Sequence, residues 1–254
     1  MKFLENGRVS LTSFFFLVAI FISFSFSTFQ SEVKETSVFQ FVNQDSVLIS
    51  VKEVLDIDNT LTMYKSRVKT PICEGKVCYD VELIFYWNLV GDFVKYELVP
   101  EKPLTKQKHE PFTEADYQKL SELLTDKEPA FSNFKKEELV SKVANDIDAS
   151  SGATIAAVKG QTIEGAIYSC YTLWQIANGE VVGLIRQHTV KKLDKKVVQN
   201  IKQINTQDAD YFLVDNFKKA DFINYRVTIQ DLIKRSKGYF AKNTIEKMPD
   251  EMFS

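Results

Sequence analysis

Alternating apolar and polar residues mark the clearest β-structure of this chain, between residues 79 and 98. Every second position in the first half of this stretch is apolar, at Val81, Leu83, Phe85 and Trp87. A period of two is typical of a strand with one buried side. Gly91-Asp92 supplies a turn, and residues 93–98 return as a second strand. We therefore predict an antiparallel hairpin here, and strand or loop structure over residues 37–64.

Helical spacing of apolar positions follows the hairpin. Thr113 precedes an acidic residue, Asp116, at the third helical position, which is a capping-box arrangement. The amphipathic pattern continues to about Leu124 and predicts one helix. A longer pattern from about Ile155 to Ala177 predicts a second helix.

The last third of the chain is predicted to be mostly helical. Residues 180–189 contain the apolar run Val-Val-Gly-Leu-Ile and predict a short strand. Lys-rich helical patterns follow from residue 191 to about 204, over 208–220 and over 228–239, and their lysines fit solvated faces. No internal repeat is periodic enough to identify from the sequence.

The stretch that points most directly to chemistry is Asp148-Ala149-Ser150-Ser151-Gly152-Ala153-Thr154, at the head of the long helical pattern. A serine there can accept a hydrogen bond from an N–H of the first helical turn. Gly152 and Ala153 leave space over that turn, and free N–H groups at a helix start suit a phosphate. A phosphodiester on Thr154 would lie in that field, and Asp148 could position the hydroxyl. A simple loop with a helix cap is the alternative.

This Asp-x-x-Ser-Gly-Ala-Thr pattern resembles the flavin attachment site of FMN-binding domains, the family that includes the flavin-carrying domains of the sodium-pumping NADH:quinone reductase and of the Rnf complex. The resemblance covers about Tyr79 to Gly179. It implies FMN joined through a phosphoester to Thr154, with Asp148, Ser151, Gly152 and Ala153 as further cofactor-binding residues. One departure is Ala156, where the family often has a second hydroxyl residue.

The resemblance also implies partners. A separate flavin transferase would use FAD and a divalent cation to load the threonine. The flavin would exchange electrons with a redox partner, either soluble or membrane-bound. The chain would then be an electron-transfer protein and not a stand-alone enzyme.

The N-terminus indicates export. Lys2 and Arg8 precede a largely apolar run from Leu11 to Phe29, which is the layout of a signal peptide, and the run is also long enough for an uncleaved membrane anchor. Its removal makes the remainder one charge more acidic than the chain's net −2, so nothing suggests nucleic-acid binding. The rest, roughly 225 residues, suffices for one well-buried core with additions.

The positions of the cysteines and histidines indicate a disulfide and argue against a zinc site. In an oxidising compartment Cys73 and Cys78 could close a short hairpin loop, and the rival, zinc, lacks a matching histidine pair. Cys170 fits a small core residue, and His109 fits a solvated loop. Phosphate loops, nucleophile elbows and zinc-protease motifs do not occur in the sequence.

Together these patterns predict an α+β fold in which antiparallel strands pack with helices. The expected organisation is a signal peptide or anchor at 1–30, an FMN-binding-like domain at 31–189 and a helical C-terminal region at 190–254. Two functions remain open: an exported, periplasmic or membrane-anchored flavoprotein, or an exported interaction or scaffold module without flavin.

Overall fold

Five antiparallel strands form a meander in which each strand pairs with the next along the chain. This computed structural model describes residues 34–74, 77–136, 138–139, 158, 160–236 and 238–253. The predicted export segment lies outside these residues. The strands are β1 Lys34–Val42, β2 Leu48–Leu55, β3 Leu61–Glu74, β4 Val77–Trp87 and β5 Phe93–Leu98.

The predicted hairpin over 79–98 is confirmed as β4 and β5. Phe85 lies opposite Tyr96 in an antiparallel register. The inward positions of β4 are almost completely buried, at Val81, Leu83, Phe85 and Trp87. Asn88 closes the turn, because its side-chain oxygen accepts hydrogen bonds from the N–H groups of Val90 and Asp92.

Helices make up most of the remainder, so the α+β class is confirmed. In chain order they are α1 Glu114–Thr125, α2 Ile167–Asn178, α3 Glu180–Val190, α4 Lys195–Ile204, α5 Gln207–Asn216, α6 Lys219–Asn224, α7 Arg226–Arg235 and α8 Tyr239–Lys247. Short 3-10 turns occupy Gln107–His109 and Asp250–Met252.

The first helix begins where the capping box predicted. The Thr113 hydroxyl accepts a hydrogen bond from the Asp116 N–H, and the Asp116 carboxylate accepts one from the Thr113 N–H. These bonds satisfy two backbone donors that a helix start otherwise leaves free. Leu120, Leu123 and Leu124 face the core.

Helix α2 packs between the sheet and helix α1. It contacts both α1 and β3. The buried indole of Trp87 donates to the carbonyl of Ala177 over 2.7 Å, which satisfies the N–H of a fully buried ring. Apolar residues of the C-terminal helices belong to the same buried cluster as the sheet. The described residues belong to one compact unit, and the predicted boundary after residue 189 stays a prediction.

The predicted strand over 180–189 is wrong, because this segment is helix α3. Its buried residues are Val181, Ile185 and Thr189, spaced four apart. That spacing places all three on one face of a helix. The β-branched residues suggested a strand, but packing of this single face selects the helix.

The predicted continuous helix from 155 to 177 is also wrong in its described part. Residues 158, 160 and 161 are helical, the chain then turns, and α2 starts only at Ile167. Gly165 has a φ of 72°, a conformation that glycine adopts without strain. Its carbonyl accepts a hydrogen bond from the Gln107 N–H over 2.8 Å. This hydrogen bond joins the turn before α2 to the loop between β5 and α1, residues 99–113.

The helices predicted over 208–220 and 228–239 have different ends in the structure. Helix α5 stops at Asn216, and α6 starts separately at Lys219. Helix α7 ends at Arg235, before Gly238 with its φ of 64°, and α8 is an additional helix. The region is helical as predicted, but it is divided into shorter pieces.

The predicted disulfide is present. Cys73 and Cys78 face each other across β3 and β4, with sulfur atoms 2.09 Å apart. Both residues are exposed at the end of this hairpin. Cys170 is a free, buried cysteine in α2, as expected of a core residue. Burial raises the pKa of the Cys170 thiol to about 11.

Candidate functional site

The predicted attachment motif lies outside the described residues. This applies to the cofactor-binding candidates Asp148, Ser151, Gly152, Ala153 and Thr154, and to Ala156. The structure describes the residues on either side of the surrounding segment, 140–157.

Both ends of segment 140–157 are anchored in the core. Leu139 on one side and Val158 on the other are each 5% exposed and belong to the main hydrophobic cluster. The Ala130 N–H donates to the Gln161 side-chain oxygen over 2.6 Å, which ties the chain before the segment to the chain after it. The described residues on either side of the segment are therefore fixed in the folded body.

An aromatic cluster supports the chain just before this segment. Phe131 is fully buried and packs against the rings of Tyr171 and Trp174 on α2, with centroids 5.9 and 5.7 Å away. Tyr171 donates to the Phe134 carbonyl, and Trp174 donates to the Asp126 carbonyl. The polar atoms of both α2 rings thus have partners, which stabilises the packing of Phe131 on α2.

The residue types of the motif fit a phosphoester-linked flavin. A threonine hydroxyl can become the ester oxygen, and Ser, Gly and Ala leave backbone N–H groups accessible to a phosphate. Thr154 precedes the buried Val158 by four positions. Their Cα atoms are therefore no more than about 14 Å apart.

His109 lies in an exposed 3-10 turn, as expected of a solvated residue. Its ring approaches that of Tyr79, with centroids 5.1 Å apart. The adjacent Lys108 N–H donates to the Tyr79 hydroxyl over 3.2 Å. These contacts join β4 to the loop between β5 and α1. His109 therefore has a packing role.

Sequence reasoning missed a polar cluster between the sheet and α3. The Tyr64 hydroxyl lies 2.9 Å from both His188 Nδ1 and Thr189 Oγ1. Burial raises the pKa of Tyr64 and lowers the pKa of His188, so both groups are neutral near neutral pH. With the imidazole proton on Nε2, Nδ1 accepts from the Tyr64 hydroxyl. Tyr64 and His188 are 124 positions apart, so no local pattern could have paired them.

Glu53 lies across from Tyr64 on β2 and is also buried. Its Oε2 is 3.3 Å from Lys192 Nζ, yet this oxygen accepts no well-aligned hydrogen bond from the described groups. Among the described groups, Glu53 Oε2 therefore interacts only through its ion pair with Lys192. The negative charge of Glu53 opposes the pKa lowering that burial causes at His188. Among the described residues, His, Cys, Asp and Glu side chains form no group of three that could hold a metal ion.

A groove of about 710 Å³ lies away from the Tyr64–His188 cluster. It is bordered by the β2–β3 turn, the first half of α4 and the junction of α6 and α7. Its charged lining residues are Asp56, Asp58, Lys195, Lys196 and Arg226. Lys196 and Asp58 pair with each other at 3.4 Å. No histidine or cysteine among the described residues lines it.

Comparisons with known proteins add no family. No protein-family model, no curated protein and no solved structure matches this chain. In the described ranges, no helix is long and apolar enough to cross a membrane.

Proposed function

We propose that this chain is an exported flavoprotein electron carrier with FMN joined to Thr154 through a phosphoester. The observation that carries the proposal is the Asp148–Thr154 motif, which combines an acceptor hydroxyl, small residues beside it and a nearby carboxylate. Bound FMN would supply one- and two-electron transfer. The protein would hold the flavin and set its surroundings.

Each motif residue has a distinct role in this proposal. Thr154 Oγ would supply the ester oxygen, and loading from FAD would break the phosphoanhydride bond and release AMP. Asp148 would orient the hydroxyl while its proton passes to a base. Ser151 would accept a backbone hydrogen bond, and the small side chains of Gly152 and Ala153 would leave room beside the phosphate. A flavin transferase with a bound divalent cation is the partner for this step.

The anchoring of segment 140–157 supports this role. Leu139 and Val158, the described residues that flank the segment, are buried in the core, so a cofactor on Thr154 would be attached four residues from a buried position. Covalent attachment also suits an exported protein, because a flavin lost outside the cytoplasm could not be replaced.

The Cys73–Cys78 disulfide is consistent with an oxidising compartment. The N-terminal pattern of positive residues followed by an apolar run supports the same location. Periplasmic release and membrane anchoring both agree with these observations.

Co-expression with a flavin transferase in an exporting host tests the proposal. The expected result is a gel band that fluoresces under ultraviolet light after denaturation, and an intact mass increased by FMN less one water. A known FMN-binding domain loaded in the same cells is the control. If that control is labelled and this chain is not, the flavin proposal is wrong.

A non-catalytic exported scaffold is the second candidate. Ala156 favours it, because the family's second hydroxyl is missing there. The set of C-terminal helices α4–α8 favours it as well, since these helices provide surface beyond what flavin attachment needs. An unmodified protein that folds fully in the loading experiment would support this function.

A further inference from the structure

Strand β1 forms one open edge of the sheet. It pairs with β2 on one side, and among the described residues no strand or bridge pairs with its other side. The Asn43 N–H donates to the Val47 carbonyl at the β1–β2 turn. Because bonded and non-bonded pairs alternate along antiparallel strands, the backbone groups of Phe41 point toward β2, whereas those of Gln40 and Val42 point outward. The edge therefore presents backbone donors and acceptors to a further strand.

This edge lacks the charges that commonly keep sheet edges apart. Residues 36–44 contain no charged residue and no proline. The opposite edge of the sheet, β5, differs, because it carries Lys95 and Glu97. Charged side chains on an edge strand oppose its pairing with another chain. The composition of β1 therefore leaves its edge open to pairing, whereas that of β5 does not.

Apolar side chains lie on both faces of this edge. Val42 and Leu48 are paired across β1 and β2, and they are 59% and 57% exposed. Phe39 and Phe41 are partly buried and pack against the core. Since successive side chains of a strand point to opposite faces, Phe41 lies on the other face from Val42. A strand added at this edge would therefore meet apolar surface above and below the sheet.

The residues of this edge read the same in both directions, as Val38-Phe39-Gln40-Phe41-Val42. An antiparallel neighbour runs in the opposite direction, so a second copy of β1 presents the same order of side chains. A two-fold axis between paired Gln40 residues puts Phe39 opposite the partner's Phe41, and the reverse pair forms equally. These phenylalanine pairs occupy non-hydrogen-bonded positions, where cross-strand side chains come closest. The edge is thus complementary to itself.

We propose that β1 pairs antiparallel with β1 of a second copy of this chain, with the two-fold axis at Gln40. The outward backbone groups of Gln40 bond to those of the partner's Gln40, and Val42 lies opposite the partner's Val38. A register shift between Ser37 and Phe39 ends the regular strand there, so the contact is short and the dimer is weak and reversible. The charged β5 edges oppose growth into longer sheets. The dimer does not depend on flavin attachment.

Analytical ultracentrifugation of the full-length exported chain over a range of concentrations tests the proposal. The weight-average mass should rise toward twice the monomer mass. Gln40→Lys should weaken association at least about tenfold, because it places two positive charges against each other at the axis. Val94→Lys, at an exposed position on the β5 edge, is the matched control and should leave association unchanged.

A proline at the same position tests the backbone pairing. Gln40→Pro removes an N–H that points to the second copy and none that bonds to β2, and an edge strand tolerates proline at such a position. Association should weaken as it does in Gln40→Lys. Circular dichroism and thermal unfolding check that both variants are folded.

Cross-linking tests the register. Gln40→Cys should form a disulfide-linked dimer under mild oxidation, because the axis brings the two copies of this position together. Leu48→Cys is equally exposed but lies on β2, away from the axis, and should cross-link much more slowly on a non-reducing gel. A monomer at every concentration, a dimer unaffected by Gln40→Lys, or equal cross-linking of the two cysteine variants would overturn the proposal.

Discussion

The hydroxyl of Tyr64 on β3 lies 2.9 Å from Nδ1 of His188 on α3, which fastens the helix to the sheet. The same hydroxyl is 2.9 Å from Thr189 Oγ1. Tyr64 and Thr189 of this cluster are fully buried. Loss of one member therefore leaves others without a partner, and the cost is larger than that of a surface hydrogen bond.

Tyr64→Phe removes only the oxygen at the centre of this cluster. His188 Nδ1 and Thr189 Oγ1 then lose a partner, and we expect the free energy of unfolding to fall by about 1–2 kcal/mol. Urea denaturation measures this change. Tyr239→Phe, at an exposed ring, is the control and should change stability by less than about 0.5 kcal/mol.

Acid should weaken the same contact. Burial lowers the pKa of His188 below its value in the unfolded chain, about 6.5. Its contribution to stability is therefore complete above that pH and declines as the pH falls toward the folded-state pKa. Unfolding measured from pH 8 to pH 5 should show this decline in the wild type and less of it in His188→Gln. An unchanged pH dependence in His188→Gln would contradict the assignment, and His109→Gln is the matched control.

Thr154 variants separate a flavin attachment site from a helix cap. Thr154→Ala deletes the ester oxygen, so covalent flavin should disappear while the unfolding temperature changes little. Thr154→Ser keeps a hydroxyl and should retain partial loading, and Asp148→Ala should reduce loading. In-gel fluorescence and thermal unfolding measure the two effects. If Thr154→Ala unfolds the protein and the wild type carries no flavin, Thr154 is a structural cap.

Two glycines with different surroundings should respond oppositely to alanine. Gly91 has a φ of 83°, and an added Cβ would lie 3.0 Å from the Val182 carbonyl oxygen. Gly91→Ala should therefore destabilise the protein by about 2 kcal/mol or more. Gly183 lies within α3, and a Cβ there meets nothing within 4 Å. Gly183→Ala should stabilise by up to about 1 kcal/mol, as measured by urea denaturation.

The disulfide should contribute modestly, because it closes a short loop. Cys73→Ser combined with Cys78→Ser should lower the free energy of unfolding by about 2 kcal/mol. Dithiothreitol should destabilise the wild type by a similar amount and leave the double variant unaffected. Non-reducing peptide mapping checks the pairing, and free thiols at both positions in exported protein would contradict it.

Local features of this fold were predictable because neighbouring residues determine them. The β4–β5 hairpin follows from strict alternation around Gly91-Asp92, and α1 starts at Thr113 because its cap lies within one turn. The short spacing of Cys73 and Cys78 likewise indicated their pairing. Each of these depends on contacts a few residues apart, which the order of amino acids states directly.

Tertiary packing decided the remainder. The run Val181 to Ile185 has strand propensity, but it becomes helix because one helical face meets the core. The turn at Gly165 depends on a bond to Gln107, and the Tyr64–His188 contact joins β3 to a distant helix. The sequence alone determined the local elements, and it is the basis of the role proposed for Asp148–Thr154. Contacts between residues far apart in the chain form only on folding. Only the tertiary structure could therefore determine where the helices end, how they pack and which distant side chains form hydrogen bonds.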